Sequence, residues 1–507
     1  MSFDSLLGIV FNIEFKLKQT FAGKDSALAA DGKLATSVRC ALAGLSLSML
    51  LSSLGTSIAN VGLPTLAQVF NASFQQVQWI VLAYLLAITT LVVSVGRLGD
   101  VVGRRRLLAV GILLFTVASA LCGLAPTLWL LIAARAVQGF GAAIMMALTM
   151  AFVGQTVPKS RVGSAMGLLG TTSAVGTALG PSLGGVLIAG LGWPAIFFIN
   201  VPLGILALFL AYRYLPPDPT LTKPDQTRFD HVGTLLLAAT LATYALAMTT
   251  GRGNFGLLNG ILLLAAAFGA GLFAFAETKV ASPLVRLAMF RNPILSAGFA
   301  MSTLVTSVVM ATLVVGPFYL SGALGLDAAR VGLVMSTGPI AAALVGVPAG
   351  RIVDRFGSHR TTTAGLIGMA AGSAILSMIP ITLGVPGYVA PLVVITASYA
   401  LFQASNNTSV MTDAQPDERG VIAGIVSLSR NLGLITGASA MGAVFAIGAA
   451  TTNLATANPE AVSTGMRVTF AVALVLIAAA IAMSAISHAI SNRTNLKNSA
   501  LGDARGL

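Results

Sequence analysis

Long uncharged runs fill most of the chain, broken at intervals by short charged or Pro/Gly-rich stretches. A helix needs about 20 apolar residues to cross a bilayer. The uncharged interval from Cys40 to Val95 is too long for one such helix. It predicts two, helix 1 near 41–63 and helix 2 near 76–96. Helices 3 and 4 follow near 107–125 and 127–150, parted by Ala125-Pro126. The interval Val162–Tyr212 again suits two helices, 5 and 6, turning at Gly190-Leu191-Gly192-Trp193-Pro194. Leu215–Arg228 is polar and proline-rich, with Asp218, Lys223 and Asp225, and reads as a linker. Helices 7 and 8 are predicted near 231–250 and 256–276, with a second connector from Lys279 to Pro293. The pattern then resumes with helices 9 (294–319), 10 (331–350), 11 (362–384), 12 (387–411), 13 (420–449) and 14 (466–490).

The charged punctuation contains a repeat. Gly96-Arg97-Leu98-Gly99-Asp100-Val101-Val102-Gly103-Arg104-Arg105-Arg106 follows helix 2, and Gly350-Arg351-Ile352-Val353-Asp354-Arg355-Phe356-Gly357-Ser358-His359-Arg360 follows helix 10. Aligned without a gap, the two agree at the first Gly, the next Arg, the Asp, the second Gly and the last Arg. A duplicated charged hairpin predicts two related membrane bundles. Helices 7 and 8 interrupt them. The expected division is an N-terminal tail (1–37), a six-helix bundle (38–214), and a linker carrying two inserted helices (215–293). A second six-helix bundle (294–490) and a C-terminal tail (491–507) complete it. In the first tail, Glu14, Lys16 and Lys18 alternate with Phe15 and Leu17 after a short apolar run, Leu6–Phe11. That run is too short to span or to form a full signal core; an interfacial helix and an unstructured tail both fit.

Composition agrees with a fold that is all-α and integral to the membrane. Of 507 residues 56% are hydrophobic and only 9% charged, with mean hydropathy +0.90, whereas a soluble domain carries roughly 25% charged residues. The net charge of +13 does not imply nucleic acid, because Lys and Arg sit mostly in short loops. Fourteen crossings put both termini on one side. Of 29 Lys and Arg, only Arg252, Arg330 and Arg467 fall in the opposite loops, and Arg135 and Arg430 fall inside helices. The remaining 24 lie on the side of the termini, which the positive-inside rule makes the cytoplasm of a cell membrane.

Candidate chemistry is sparse. Arg135 lies nine residues past Pro126, about 13 Å deep at 1.5 Å per residue. A charge there normally faces the bundle interior or a water-filled cavity; Gln138, Gly139 and Gly141 lie beside it. Arg430 is similarly deep in helix 13. Either arginine could instead bond backbone carbonyls. Ser53, Ser57 and Asn60 share a face of helix 1, and Gln403, Asn406 and Asn407 sit at i, i+3 and i+4 on helix 12. Both stripes suit a cavity lining or interhelical hydrogen bonds alike. On helix 5, Gly176, Gly180 and Gly184 are spaced by four, with Pro181 and Gly185 beside them. The glycines make a groove for a close helix and the proline bends the chain, which fits either a pivot or ordinary packing. None of the 16 acids lies mid-helix in this topology; Asp230 and Glu277, at the ends of helices 7 and 8, could share a proton or form a solvated pair. No nucleotide-binding loop, nucleophile–base set or intramembrane His/Asp/Glu metal cluster can be assembled. We expect no catalytic residue, no metal and no cofactor, and no enzyme.

These residues resemble the major facilitator superfamily, and within it the fourteen-helix drug:proton antiporters. Gly96–Arg106 is similar to the superfamily's loop between helices 2 and 3. Leu131, Arg135, Gln138, Gly139 and Gly141 resemble its helix-4 motif, and Gly176–Gly185 the helix-5 motif of exporters. Trp193 with Phe198-Ile199-Asn200-Val201-Pro202-Leu203-Gly204, and Phe229-Asp230-His231-Val232-Gly233, resemble the fourteen-helix branch. The resemblance implies a major facilitator fold and a secondary exporter of small amphipathic compounds, exchanging them for protons. An importer or facilitator on the same fold is the nearest rival, and a non-transporting membrane sensor a more distant one. It further implies a gating loop at Gly96, Arg97, Asp100, Gly103, Arg104, Arg105 and Asp354. Proton coupling is implied at Arg135, with Asp230 as a second candidate, and a hinge at Gly176, Gly180, Pro181, Gly184 and Gly185. The expected cavity residues are Ser53, Ser57, Asn60, Gln138, Gln403, Asn406, Asn407 and Arg430. The expected partners are a small-molecule substrate, protons and the lipid bilayer, with no nucleic acid, and the expected state is a monomer. One departure stands out. The branch usually carries Asp near the start of Leu-Asp-x-Thr-Ile-Val-Asn on helix 1, where this chain has Leu54-Gly55-Thr56-Ser57-Ile58-Ala59-Asn60. With Gly55 there, and no buried acid beside two arginines, desolvating a permanent dication is unfavourable. Neutral or anionic substrates are therefore expected.

Overall fold

The computed structural model describes residues 36–156, 162–216, 230–250, 256–280, 287–412, 419–450 and 457–505. Among the described residues there is no strand, and fourteen helical stretches are long and apolar enough to cross a membrane. In the first part of the chain these are α1 (Thr36–Val69), α2 (Phe74–Val102), α3 (Arg104–Gly123), α4 (Leu128–Thr156) and α5 (Val162–Leu191). A helical turn, Ala195–Phe198, then leads into α6 (Asn200–Tyr214). Next come α7 (His231–Thr249) and α8 (Leu257–Lys279). The last six are α9 (Pro293–Phe318), α10 (Ala328–Phe356), α11 (Ser358–Met378), α12 (Gly384–Thr412), α13 (Arg419–Thr436) and α14 (Pro459–Arg505). A π turn at Tyr319–Ala323 prolongs α9, and another at Gly437–Met441 carries α13 on into Gly442–Gly448.

Helix starts follow the local chemistry. Ser73 and Gln76 form a reciprocal capping box on α2, Asn292 caps α9 ahead of Pro293, and Asp327 caps α10 by accepting from the Arg330 N–H. The largest departure from the sequence expectation is α14. It runs to Arg505, through the stretch expected as a tail, because Arg493 and Lys497 end the apolar pattern without ending the helix. A helix that has left the bilayer can carry charge.

The duplicated hairpins are built alike. Gly103 stands alone between α2 and α3 with φ 101°, and Gly357 stands alone between α10 and α11 with φ 84°. Both angles disfavour a side chain, which accounts for the glycine shared by the two copies. Packing repeats in step with them. Gly176, Gly180 and Gly184 of α5 lie against Leu50, Ser57 and Ile58 of α1, while Gly433 and Gly437 of α13 lie against Thr303, Ser307 and Met310 of α9. Likewise Gly139 of α4 meets Tyr84 and Ala87 of α2, and Gly338 of α10 meets Leu392 and Thr396 of α12. The pairings α1–α5 and α2–α4 thus recur as α9–α13 and α10–α12.

The end bearing Gly103, Gly357 and the start of α1 is here the hairpin end, and the opposite one the far end. Buried apolar residues fall into two clusters. One joins far-end residues of α1–α6, such as Ile58, Leu66 and Phe74, to α9–α14. The other contains residues of α1–α6 alone, including Leu45, Tyr84, Leu108 and Phe152, toward the hairpin end. The hydrogen bonds and ring contacts seen between α1–α6 and α9–α14 lie at the far end. There the Gln78 Nε2 donates to the Ala438 carbonyl at 2.7 Å. Phe74 stacks edge-on against Phe318 and Phe445, with centroids 4.8 and 5.3 Å away. The α5 and α10 backbones meet at Gly185 and Gly332, where a Cβ on either glycine would sit 2.9 Å from the Cα of the other. Toward the hairpin end, Gly170 of α5, Gly346 of α10 and Gly424 of α13 face open space. The two sets of helices are joined at the far end and part toward the hairpins.

Helix α7 lies along that joint. Trp79 Nε1 of α2 donates to Thr249 Oγ1 at 3.1 Å, and the Tyr244 hydroxyl donates to Thr436 Oγ1 of α13 at 3.3 Å. The inserted pair is therefore bonded to both sets of helices through α7, while α8 packs on α7 and stays largely exposed.

Candidate functional site

Arg135 is fully buried on α4. Its Nε donates to the Ile80 carbonyl of α2 at 2.9 Å, one terminal nitrogen to Gln138 Oε1 at 2.5 Å, and the other to the Gly55 carbonyl of α1 at 3.1 Å. Gln138 passes the chain on, donating to Ser119 Oγ of α3 at 2.7 Å. The guanidinium carbon lies 4.0 Å from the centre of the Tyr84 ring, whose hydroxyl donates to the Ser52 carbonyl at 2.8 Å. One side chain thus ties α1, α2 and α4 together and reaches α3 through Gln138. Every acceptor is neutral. A buried charge without a counter-ion is costly, and the knot offsets that with charge-assisted bonds of about 1.5–3 kcal/mol each and a ring face. Its chemistry is that of a crosslink closed to solvent.

Gly55 belongs to the same knot. A Cβ there would lie 2.8 Å from the Tyr84 hydroxyl oxygen and 3.2 Å from its ring. Tyr84 fills the space that a helix-1 carboxylate would need. The sequence reading missed Tyr84 because position on α2 does not reveal which helix it faces; an aromatic hydroxyl amid an apolar run was the available signal.

The other expected residues divide. Ser53 Oγ pairs with Ser173 Oγ at 2.7 Å, and Ser57 reaches the Gly176 carbonyl at 3.4 Å, so this stripe joins α1 to α5. Asn60 is buried, bonds back to the Thr56 carbonyl, and leaves its Oδ1 unpartnered. Asn406 is buried and donates to Gly298 and Ser302 of α9, whereas Gln403 and Asn407 are half-buried. Arg430 is exposed. It lies eleven residues into α13 from Arg419, about 16 Å along the axis, and inside the apolar span Gly424–Gly448, so its exposure puts a charge within the membrane span in contact with solvent or lipid. Lipid is the costlier by several kcal/mol.

Of the gating loop, the side chains of Gly96, Arg97 and Asp100 lie outside the described residues. Arg104 and Arg105 are half-buried; the Arg105 guanidinium donates to the Tyr212 carbonyl at the end of α6 and sits 5.3 Å from its ring. Asp354 is exposed, with no ion pair among the described residues. Gly176, Gly180 and Gly184 face α1, whereas Gly185, one residue on, faces α10; Pro181 offers its carbonyl to the same α10 crossing. Helix α5 therefore touches its own set of helices on one side and the other set on the next.

Asp230 caps α7, accepting the Gly233 N–H at 2.7 Å, and is 6% exposed. Glu277 of α8 is 3% exposed, and both carboxylates converge on Gly233. The alternative of a solvated boundary pair does not match this burial. Arg135 and Asp230 are not brought together. Among the described residues no group of three His, Cys, Asp or Glu could hold a metal ion, and Cys40 and Cys122 are unbonded thiols.

Comparison with known proteins places this geometry. The Major Facilitator Superfamily profile matches residues 45–438. The riboflavin transporter RibZ of Clostridioides difficile is 32% identical over 400 residues, covering 79% of this chain and 86% of RibZ. The multidrug resistance protein Stp of Mycobacterium tuberculosis is 30% identical over 414 residues, covering 80% and 74%. The fold is shared with a bacterial homologue of the human lysosomal transporter Spinster, crystallised inward-facing and occupied, at TM-score 0.66 and 14% identity, covering 88% of this chain and 96% of that one. Fourteen crossing helices, the paired hairpins and the profile match agree: the chain is a multi-pass membrane transporter and belongs to the Major Facilitator Superfamily.

Proposed function

We propose that the protein is a secondary exporter of small amphipathic molecules, with both termini in the cytoplasm, working by alternating access between two six-helix bundles, 38–214 and 294–490. The observation that carries this reading is Arg430, exposed within the apolar span Gly424–Gly448 of α13. A charge so placed is tolerable when the parting between the bundles is a water-filled vestibule. With the hairpin end cytoplasmic, the vestibule opens inward, and the half-buried Gln403 and Asn407 of α12 are the candidates to line it with Arg430.

Substrate charge follows from what faces it. Arg430 is cationic, and Arg135 is already satisfied by neutral groups, so nothing in this pathway among the described residues compensates a dication. The substrates are neutral or anionic ring compounds, a class that accommodates relatives named for riboflavin transport and for multidrug resistance. Export is driven by proton exchange. Arg135 positions α1, α2 and α4, and Asp230, buried beside Glu277, is the candidate for coupling. Counterflow in proteoliposomes with substrates matched in size but differing in charge tests the proposal. Flux of neutral and anionic compounds out of the cytoplasmic-side compartment is expected. Strong flux of a permanent dication, or net accumulation in the opposite direction, contradicts it.

A further inference from the structure

Gln75 stands in the first turn of α2 and is 5% exposed. Among the described residues it is the one buried side chain with two unpartnered polar atoms, Oε1 and Nε2. Its neighbours along the helix show where it is shut in. Gln78 and Trp79, three and four residues on, share its face of α2. Gln78 donates to the Ala438 carbonyl in the π turn of α13, and Trp79 donates to Thr249 of α7. Phe74, beside it, packs edge-on against Phe318 and Phe445. Gln75 is therefore enclosed where α2 meets α7 and α13, in the far-end joint between the two sets of helices.

Buried amides elsewhere are bonded more fully. Gln138 accepts from Arg135 and donates to Ser119. Asn259 of α8 accepts the Gly256 N–H and donates to the Ala247 and Thr250 carbonyls. Asn60 and Asn200 leave only Oδ1 unpartnered and donate to carbonyls three or four residues back. On the face that Gln75 occupies, Gln78 Oε1 is unpartnered as well. A buried amide without partners destabilises the state that buries it. Here that state is the closed joint. Parting α2 from α13 at the outer end of α2 admits water, to which both ends of the Gln75 amide can bond.

We infer that Gln75 biases the far end toward opening by destabilising the closed joint selectively. A bonded amide at this position would latch the joint. An unbonded one brings the closed and open states closer in free energy, as alternation between them requires. This bias rests on the proposed alternating access between the bundles, and on neither a substrate nor a direction of transport.

Gln75→Met keeps the length of the side chain and removes both polar groups, and Gln75→Leu does so with a different shape. Asn259→Leu, which removes a fully bonded amide, is the reference, and Gly332→Val crowds the α5–α10 crossing. Each would be made in the full-length chain in nanodiscs. The readouts are thermal melting and hydrogen–deuterium exchange of the backbone amides in the π turn Gly437–Met441. The Gln75 variants should melt above the wild type and slow exchange in the π turn at least about fivefold; Asn259→Leu should melt below it. Melting of both Gln75 variants at or below the wild type overturns the inference, because an amide bonded to protein or to trapped water behaves that way. Exchange unchanged in them while Gly332→Val raises it also overturns it. Exchange that none of these variants moves overturns the alternating-access reading together with the bias built on it.

Discussion

At residue scale the protein turns on how one buried guanidinium is satisfied. Arg135 meets two backbone carbonyls, an amide and the Tyr84 ring, with Gly55 making room for that ring. Arg135→Ala would leave the buried Gln138 Oε1 without its donor, at about 1–3 kcal/mol for an unsatisfied group, and would empty the space the guanidinium fills. We expect thermal melting in detergent and transport to fall together; normal melting with flux lost would make Arg135 a participant in transport itself. Gly55→Ala should destabilise by about 1–3 kcal/mol, as overpacking does. Adding Tyr84→Phe removes the nearest clashing atom, so the double variant should melt above the temperature that additive effects give. Strict additivity would mean that the two residues do not share this space. The depth of Arg135 was legible in the sequence, because counting from Pro126 locates it. Its partners were not, because periodicity gives a helix face and not the neighbour that face meets.

At element scale, two helices do more than span. Helix α5 presents Gly176, Gly180 and Gly184 to α1 and Gly185 to α10, so the expected pivot is split between a static seam and a contact that must open. Gly332→Val would push side-chain atoms into the α5 backbone at the far end. At about 1–3 kcal/mol of overpacking, it should shift the population toward far-end opening by about 5–150-fold, read as increased labelling of far-end sites by an impermeant reagent from outside. Unchanged labelling would mean that this crossing does not gate. Helix α7 supplies a second device. Asn caps a helix about as well as Asp, so Asp230→Asn should fold normally while losing the dependence of flux on a pH gradient. Retained dependence would exclude Asp230 from coupling. The helix pair itself was legible from two uncharged runs between charged connectors. Its bonds to α2 and α13 were not, since nothing in the runs marks Trp79 and Tyr244 as contacts between elements.

At the scale of the whole molecule, the repeated hairpin foretold the repeated packing, because a loop closed by one glycine of positive φ fixes how its two helices leave it. Length of the apolar runs foretold fourteen crossings. The extent of α14 was hidden, since Arg493 and Lys497 read as the end of a span and not as a helix continuing beyond it. The direction of opening was also hidden: it depends on contacts between helices hundreds of residues apart, such as Gln78 with Ala438. All of the transport reading requires that Arg430 face water within the parting between bundles. With Cys40 and Cys122 replaced, Arg430→Cys in oriented vesicles can be exposed to a membrane-impermeant maleimide from each side in turn. Labelling from the cytoplasmic side, far exceeding that from outside, is the predicted result. No labelling from either side would place the residue against lipid and contradict the account.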